Sequence, residues 1–333
     1  MDAGVYDPFS AGEFGIGVRT FDVRDAERRR TFPCELWYPA APGNGEMRDA
    51  PPADLSPLPL VVFSHYSGGG RRSATYLCTH LASHGYAVVA MDHSEVVAPE
   101  LGPQVDESGA DRARRIDAIC ASRVPDVQLL LAQLIDGALT SIELDPERIG
   151  LAGHSFGGWT ALAVPEREPR VRAVVALAPG GSSRPVPGVL PLTLAFGWER
   201  AVPVLILTGD CDVPVPLDGV QEIFERAPEP KHMFVLRRAD HQHFADDVEA
   251  NHEALRAMTL PGEAAWMTAA MLPASELCPG EHGHVFTRGL ALAHLDASLR
   301  GDAAAAGFLA EDAERALAVR GIDAVEYGLT ERA

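Results

Sequence analysis

A chain of 333 residues, 47% of them hydrophobic, carries enough apolar mass for a substantial core, and its 47 acidic against 28 basic side chains leave a formal charge of −19. Such a surface repels phosphate backbones and anionic headgroups, so neither nucleic acid nor a membrane surface is expected as a partner. Runs of about 18 apolar residues, the length of a membrane span, are missing, and residues 1–10 lack the basic start and apolar stretch of a secretion signal, which makes the expected location cytoplasmic.

In chain order, residues 18–23 and 31–38 read as an opening pair of strands, and 44–59, rich in Pro, Asp and Ala, as a connecting loop. The apolar run 60–64 before a glycine cluster predicts a buried parallel strand. A helix over 73–84 closed by Gly85 and a second buried strand over 86–91 follow. Residues 95–110 are polar and loop-like; Arg112, Arg114 and Arg115 read as a solvated helix start. Val127, Leu130, Leu131 and Leu134 recur at helical spacing within 116–139, where Pro125 predicts a kink or the true start. Next come a strand (148–152), a helix (156–163), a strand (171–177) and an irregular excursion (179–200). A strand (204–208), a helix (217–226) and a strand (232–236) follow, and 245–333 reads as mainly helical. This alternation predicts an α/β fold: a single domain over 1–333 with a mostly parallel sheet flanked by helices on both faces. The scattered Cys34, Cys78, Cys120, Cys211 and Cys278 show no CxxC spacing and are expected as free thiols, with a Cys211–Cys278 pair only in an exported protein.

Ligands of such sheets sit beyond the carboxyl ends of the strands. After 148–152 stands Gly153-His154-Ser155-Phe156-Gly157-Gly158, a G-x-S-x-G between strand and helix. The spacing has a steric reason: at a tight strand-to-helix turn the neighbours two residues from the serine must be small. Ser155 is therefore the candidate nucleophile, and the N–H of Phe156 a candidate oxyanion donor; a chance glycine turn is the plain alternative. A serine hydroxyl needs a base, and in this architecture the order is Ser, acid, His. Strand 204–208 leads to Asp210-Cys211-Asp212, and strand 232–236 to Asp240-His241-Gln242-His243. Asp212 is the candidate acid, with Asp210 more suited to capping the turn. His241 is favoured over His243 by its spacing to the strand end, and both stay open on spacing alone. The histidine pair, even with Asp240, Asp246, His282 and His284 considered, forms no defined ligand set, so neither a metal nor any other cofactor is expected. The loop His65-Tyr66-Ser67-Gly68-Gly69-Gly70 offers a second oxyanion donor, Ser67 or alternatively Tyr66. Tyr66, with Phe196 and Trp198 of the excursion, is a candidate substrate contact. Trp159 is expected in the core, while Trp266 and Met267 either cover the site or pack beside it.

Pro59-Leu60-Val61-Val62-Phe63-Ser64-His65, Leu81-Ala82-Ser83-His84-Gly85-Tyr86, the serine motif, and His241-Gln242-His243-Phe244-Ala245-Asp246 together resemble the platelet-activating-factor acetylhydrolase family. That group is similar to dienelactone-hydrolase-like and cutinase or polyesterase-like enzymes, and the resemblance runs over 31–246. It implies the α/β-hydrolase fold, Ser155 as nucleophile, Asp212 as acid, His241 as base, and Phe156 and Ser67 as oxyanion donors. Two departures stand out. Gly180-Gly181 replaces an aromatic residue frequent in the family, implying an opened substrate wall, and Tyr66 stands where glycine is usual. Dienelactone hydrolases proper use a cysteine nucleophile; this chain has serine. The implied activity is hydrolysis of small or short-acyl esters through an acyl-enzyme. Amide or peptide cleavage by the same machinery and a non-catalytic ligand-binding role are the competing readings, and oligomeric state is not encoded in any of these motifs.

Overall fold

The parallel strands share continuous buried apolar runs (60–63, 87–91, 149–152, 173–177, 204–207 and 233–236), which suits burial on both faces rather than one. In a computed structural model that describes residues 6–102, 104, 107–135, 137, 139–184 and 186–328, ten strands join one sheet. Parts of the N-terminal stretch (1–5), the polar loop (103, 105, 106), the long helix's expected end (136, 138), the excursion (185) and the C-terminal region (329–333) lie outside the described residues.

The strands are β1 (Gly15–Asp25), β2 (Arg30–Ala40), β3 (Glu46–Arg48), β4 (Leu58–Ser64), β5 (Ala87–Met91), β6 (Leu144–His154), β7 (Val171–Leu177), β8 (Val204–Gly209), β9 (Lys231–Leu236) and β10 (Ala324–Glu326). Their order is β10-β9-β8-β7-β6-β4-β5-β2-β1-β3. From β5 to β9 every pairing is parallel; β1 with β2, β2 with β5 and β9 with β10 are antiparallel. The register sets Val62 beside Val89 on one side and Leu151 on the other.

Around the sheet lie α1 (Thr75–Ser83), α2 (Ser94–Val97), α3 (Gly109–Ile135), α4 (Phe156–Ala163), α5 (Leu217–Arg226), α6 (Val248–Arg256), α7 (Ala265–Ala270) and α8 (Gly280–Leu295). Alternate strand residues feed two cores. Leu60 and Val62 pack with Leu130 of α3, Phe156 of α4 and Ile223 of α5. Val61 and Phe63 pack with Leu77 of α1 and Phe286 and Leu290 of α8.

Differences from the sequence reading have local causes. Helix α3 begins at Gly109 instead of 116, because Ser108 caps it: Asp111 N–H donates to Ser108 Oγ at 3.1 Å. Pro125 lies within it, neither starting nor ending it. One window of α3 is long and apolar enough, by length and composition alone, to cross a membrane; here Leu130, Leu131 and Leu134 are buried in the core beside the sheet. The segment 44–59 holds the short β3, and 95–110 contains most of α2. Among its described residues, the excursion 179–200 has neither helix nor strand, as expected. The five cysteines are free thiols, Cys211 and Cys278 included.

Candidate active site

The candidate residues gather at the carboxyl ends of β4, β6, β8 and β9. At the end of β6 the chain turns so sharply that Ser155 takes φ 58° and ψ −113°, a backbone state that costs a side-chain-bearing residue about 1–3 kcal/mol. The surrounding contacts fix it. Ser155 N–H donates to Leu177 O at the end of β7 (2.8 Å), and Gly180 N–H donates to Ser155 O (3.2 Å). The two glycines of the motif are steric necessities. A Cβ on Gly153 would stand 2.2 Å from Gly157 O, and one on Gly157 would stand 1.9 Å from Ser64 O. The second contact brings α4 against the start of the 65–70 loop. Phe156 opens α4, so its N–H has no acceptor within the helix.

Asp212 and His241 meet. Their loops are laced together by Cys211 N–H donating to Ala239 O at 2.9 Å. His241 Nδ1 lies 2.7 Å from Asp212 Oδ2, both side chains buried, while Asp212 Oδ1 accepts from Val215 N–H at 2.8 Å. Burial works against an imidazolium at His241, but the charge and hydrogen bond of Asp212 outweigh it and raise the histidine above its ordinary value. The His154 ring stands 4.7 Å from that of His241; burial first, then the neighbouring His241 charge, holds it well below the usual range, so it stays neutral.

The competing residues have other duties. Asp210 Oδ1 accepts from Arg238 N–H at 2.6 Å, a turn-capping contact. His243 is tied to Asp240 Oδ1 (2.8 Å) and donates to Cys278 O (2.9 Å). His252 of α6 also bonds Asp240. Asp246 caps α1, accepting from Thr75 N–H (2.7 Å) and Tyr76 N–H (3.1 Å). His284 stacks on Tyr76.

One cavity of about 440 Å³ is walled by Ser155, His241, Phe156, Tyr66 and Ser67 together. The rest of its wall corrects the sequence reading. Phe196 and Trp198 do not line it. The chain between them and the site is pulled toward α4 and α5: Trp159 Nε1 donates to Thr193 O at 2.7 Å, Arg226 bonds Leu194 O, and the Arg226 guanidinium stacks over Phe196. Phe196 and Trp198 therefore pack against the core on that side. The excursion instead contributes Val189, Leu190 and Leu192. At Gly180-Gly181 a Cβ would meet Leu192 Cδ1 at 2.8 Å and Leu194 Cδ1 at 2.7 Å, so two leucines of the excursion stand close by; the glycines themselves line an adjoining cavity of about 430 Å³, and Gly180 lines the Ser155 cavity as well. Sequence reasoning left Met267 undecided and passed over Met258 and Met271; all three line the cavity. Trp266 stays outside and donates to Pro187 O at 3.1 Å.

Comparison with known proteins agrees with this architecture. The chain is 25% identical to a platelet-activating factor acetylhydrolase of Canis lupus familiaris, over 56% of this chain and 48% of that protein. It is 24% identical to a cutinase of Thermobifida alba, over 59% of this chain and 57% of the cutinase. The chain thus spans about half the length of the curated relatives it matches. A solved ferulic acid esterase from Streptomyces cinnamoneus superposes with a TM-score of 0.64 at 25% identity, covering 88% of this chain and 92% of the esterase, and the fold is that of the α/β-hydrolases. Residues 48–267, which include the Ser155 turn and the loops of Asp212 and His241, match the dienelactone hydrolase family, and the chain belongs to it.

Proposed function

We propose that this chain is a serine-dependent carboxylic ester hydrolase acting through an acyl-enzyme. The carrying observation is the 2.7 Å contact of His241 Nδ1 with Asp212, on the wall that also holds Ser155. In this reading His241 takes the Ser155 proton as Oγ attacks the ester carbonyl. Asp212 orients the imidazole and stabilises its charged form. The N–H groups of Phe156 and of Ser67 or Tyr66 receive the oxyanion. The protonated His241 then gives its proton to the leaving alcohol. Water, activated by the same base, releases the acid. The relatives' names, acetylhydrolase, cutinase and ferulic acid esterase, support ester hydrolysis as the reaction class.

The cavity wall of Val189, Leu190, Leu192 and three methionines supports an apolar acyl or alcohol group. A small neutral or cationic ester is the partner this reading assigns, in keeping with the charge of −19. A fluorophosphonate probe should label the native protein and not Ser155→Ala. On nitrophenyl acetate, butyrate and octanoate, Ser155→Ala and His241→Ala should each lower kcat by about 10⁴–10⁶, with Asp212→Ala somewhat milder. Faster turnover of the matching anilide would favour an amidase; an unlabelled native protein would favour a binding role.

A further inference from the structure

The oxyanion loop is braced by a cation outside the triad. Arg123, on α3, is fully buried. Its Nη1 donates to the backbone carbonyl of His65 at 2.9 Å and to Ser64 Oγ at 3.0 Å, and its Nη2 pairs with Glu95. The guanidinium carbon stands 4.1 Å from the centroid of the Phe156 ring. One group thus touches both the loop after β4 and the first residue of α4.

Burying a charge costs several kcal/mol even when it is paired, and an apolar side chain of similar volume fills space as well. The charge is therefore informative. The carbonyl of His65 and the N–H of Tyr66 belong to one peptide, and in a trans peptide the two point in opposite directions. A charge-assisted hydrogen bond on the carbonyl fixes that plane, turns the Tyr66 N–H away from Arg123, and polarises the amide into a stronger donor.

The next peptide is held in the same way. His65 Nε2 accepts from His93 N–H at 3.2 Å, which leaves the proton on Nδ1, and Nδ1–H donates to Tyr66 O at 2.7 Å. Gly69 N–H reaches that same oxygen at 3.0 Å. This carbonyl shares its peptide with the Ser67 N–H. His93 is itself held by Ser64 Oγ at 2.9 Å and Asp126 at 3.3 Å. Each candidate donor of the loop is thereby backed by a hydrogen bond to the carbonyl of its own peptide.

The geometry points to Arg123 as a positioning residue that aims and polarises the Tyr66 amide of the oxyanion loop through the His65 carbonyl and holds α4 beside that loop through the Phe156 ring, without touching substrate. This inference rests on the ester-hydrolase reading. The test uses the full chain as Arg123→Met, which keeps bulk and removes charge, and Arg123→Lys, which keeps charge and loses the planar fork. Active sites are counted with the fluorophosphonate. Then kcat and KM on nitrophenyl butyrate are measured beside the Ki of a trifluoromethyl ketone that forms a tetrahedral oxyanion on the serine.

In Arg123→Met, kcat per titrated site should fall about 10²-fold and the ketone Ki rise by a similar factor, with KM within about threefold. Arg123→Lys should recover part of both. If Arg123→Met does not fold, Arg123→Lys carries the test alone, with kcat down at least about tenfold and a matching rise in Ki. A lowered melting temperature with kcat and ketone affinity per site unchanged would overturn the inference and leave Arg123 a packing residue. A native protein that fails to hydrolyse the ester, or does so without Ser155, would instead remove the hydrolase reading itself, and this inference with it.

Discussion

His241 and His243 stand two residues apart and face different partners. For His241 to accept the Ser155 proton it must be neutral, and Asp212 raises it above the ordinary imidazole value of about 6.5. The acid limb of kcat/KM should therefore lie above that value. In Asp212→Asn the favourable charge is gone and burial dominates, so the limb should move to lower pH while the plateau drops about 10⁴-fold. A pH–rate profile of both proteins checks the sign, and a limb that stays put would detach Asp212 from the base. His243 is different. Burial works against its charge, but its bonds to Asp240 and to the Cys278 carbonyl outweigh burial and raise it to about 10. A raised histidine contributes stability that is complete below its unfolded value near 6.5 and disappears as pH climbs through about 10. His243→Ala should thus cost about 2–3 kcal/mol more at pH 7 than near pH 10 by urea melts, while kcat per titrated site stays within about tenfold. Severe loss of kcat in His243→Ala with His241→Ala tolerated would reverse the assignment of the base.

Between elements, the tightest constraint is where α4 passes the end of β4. A Cβ at Gly157 would lie 1.9 Å from Ser64 O, backbone that cannot step aside without shifting the 65–70 loop that follows β4. Gly157→Ala should therefore destabilise by about 3 kcal/mol, the upper end for overpacking, and lower kcat in what remains folded; thermal melts and titrated kinetics measure the two separately. Contacts of this kind explain what is legible in the sequence. Gly153, Ser155 and Gly157 are local, and their spacing carries its own steric reason. Asp212 and His241 are legible because each follows a strand whose apolar run is plain. Arg123 has no such signature, since its partners His65, Glu95 and Phe156 meet it only once α3 lies on the sheet. Phe196 and Trp198 mislead because an aromatic residue in an irregular stretch shows that something is buried, not on which side. The three-residue β3 and β10 are too short for any period to register. The methionine wall is likewise invisible until α6 and α7 fold over the cavity. Met271→Trp should shrink that cavity, lowering kcat/KM for octanoate at least about tenfold and for acetate less than about twofold; equal losses on both esters would mean that the acyl chain lies elsewhere.

Over the whole molecule, the charge of −19 acts at a range no single contact reaches. Among the described residues the walls of the Ser155 cavity carry no Asp, Glu, Lys or Arg, so a charged group on an ester meets the protein's net charge mainly on its approach. The two stages respond differently to salt. Screening shortens the range of the field from about 30 Å at 0.01 M to about 3 Å at 1 M. It therefore alters encounter and leaves kcat alone. With three butyrate esters of matched size, one bearing a quaternary ammonium, one neutral and one bearing a carboxylate, kcat/KM should fall with added salt for the first, hold for the second and rise for the third. A change of about two- to tenfold across that salt range is expected, since surface charge steers approach without forming a contact. The size of the response also depends on how often an encounter proceeds to acylation: a slow chemical step gives the same ordering through KM. If the carboxylate ester is instead the best substrate at low salt and weakens as salt is added, a cation near the cavity mouth governs recognition. Arg184, exposed and paired with Asp218, lines the adjoining cavity that shares Gly180, Val189 and Leu192 with this one, and would then be the first side chain to replace.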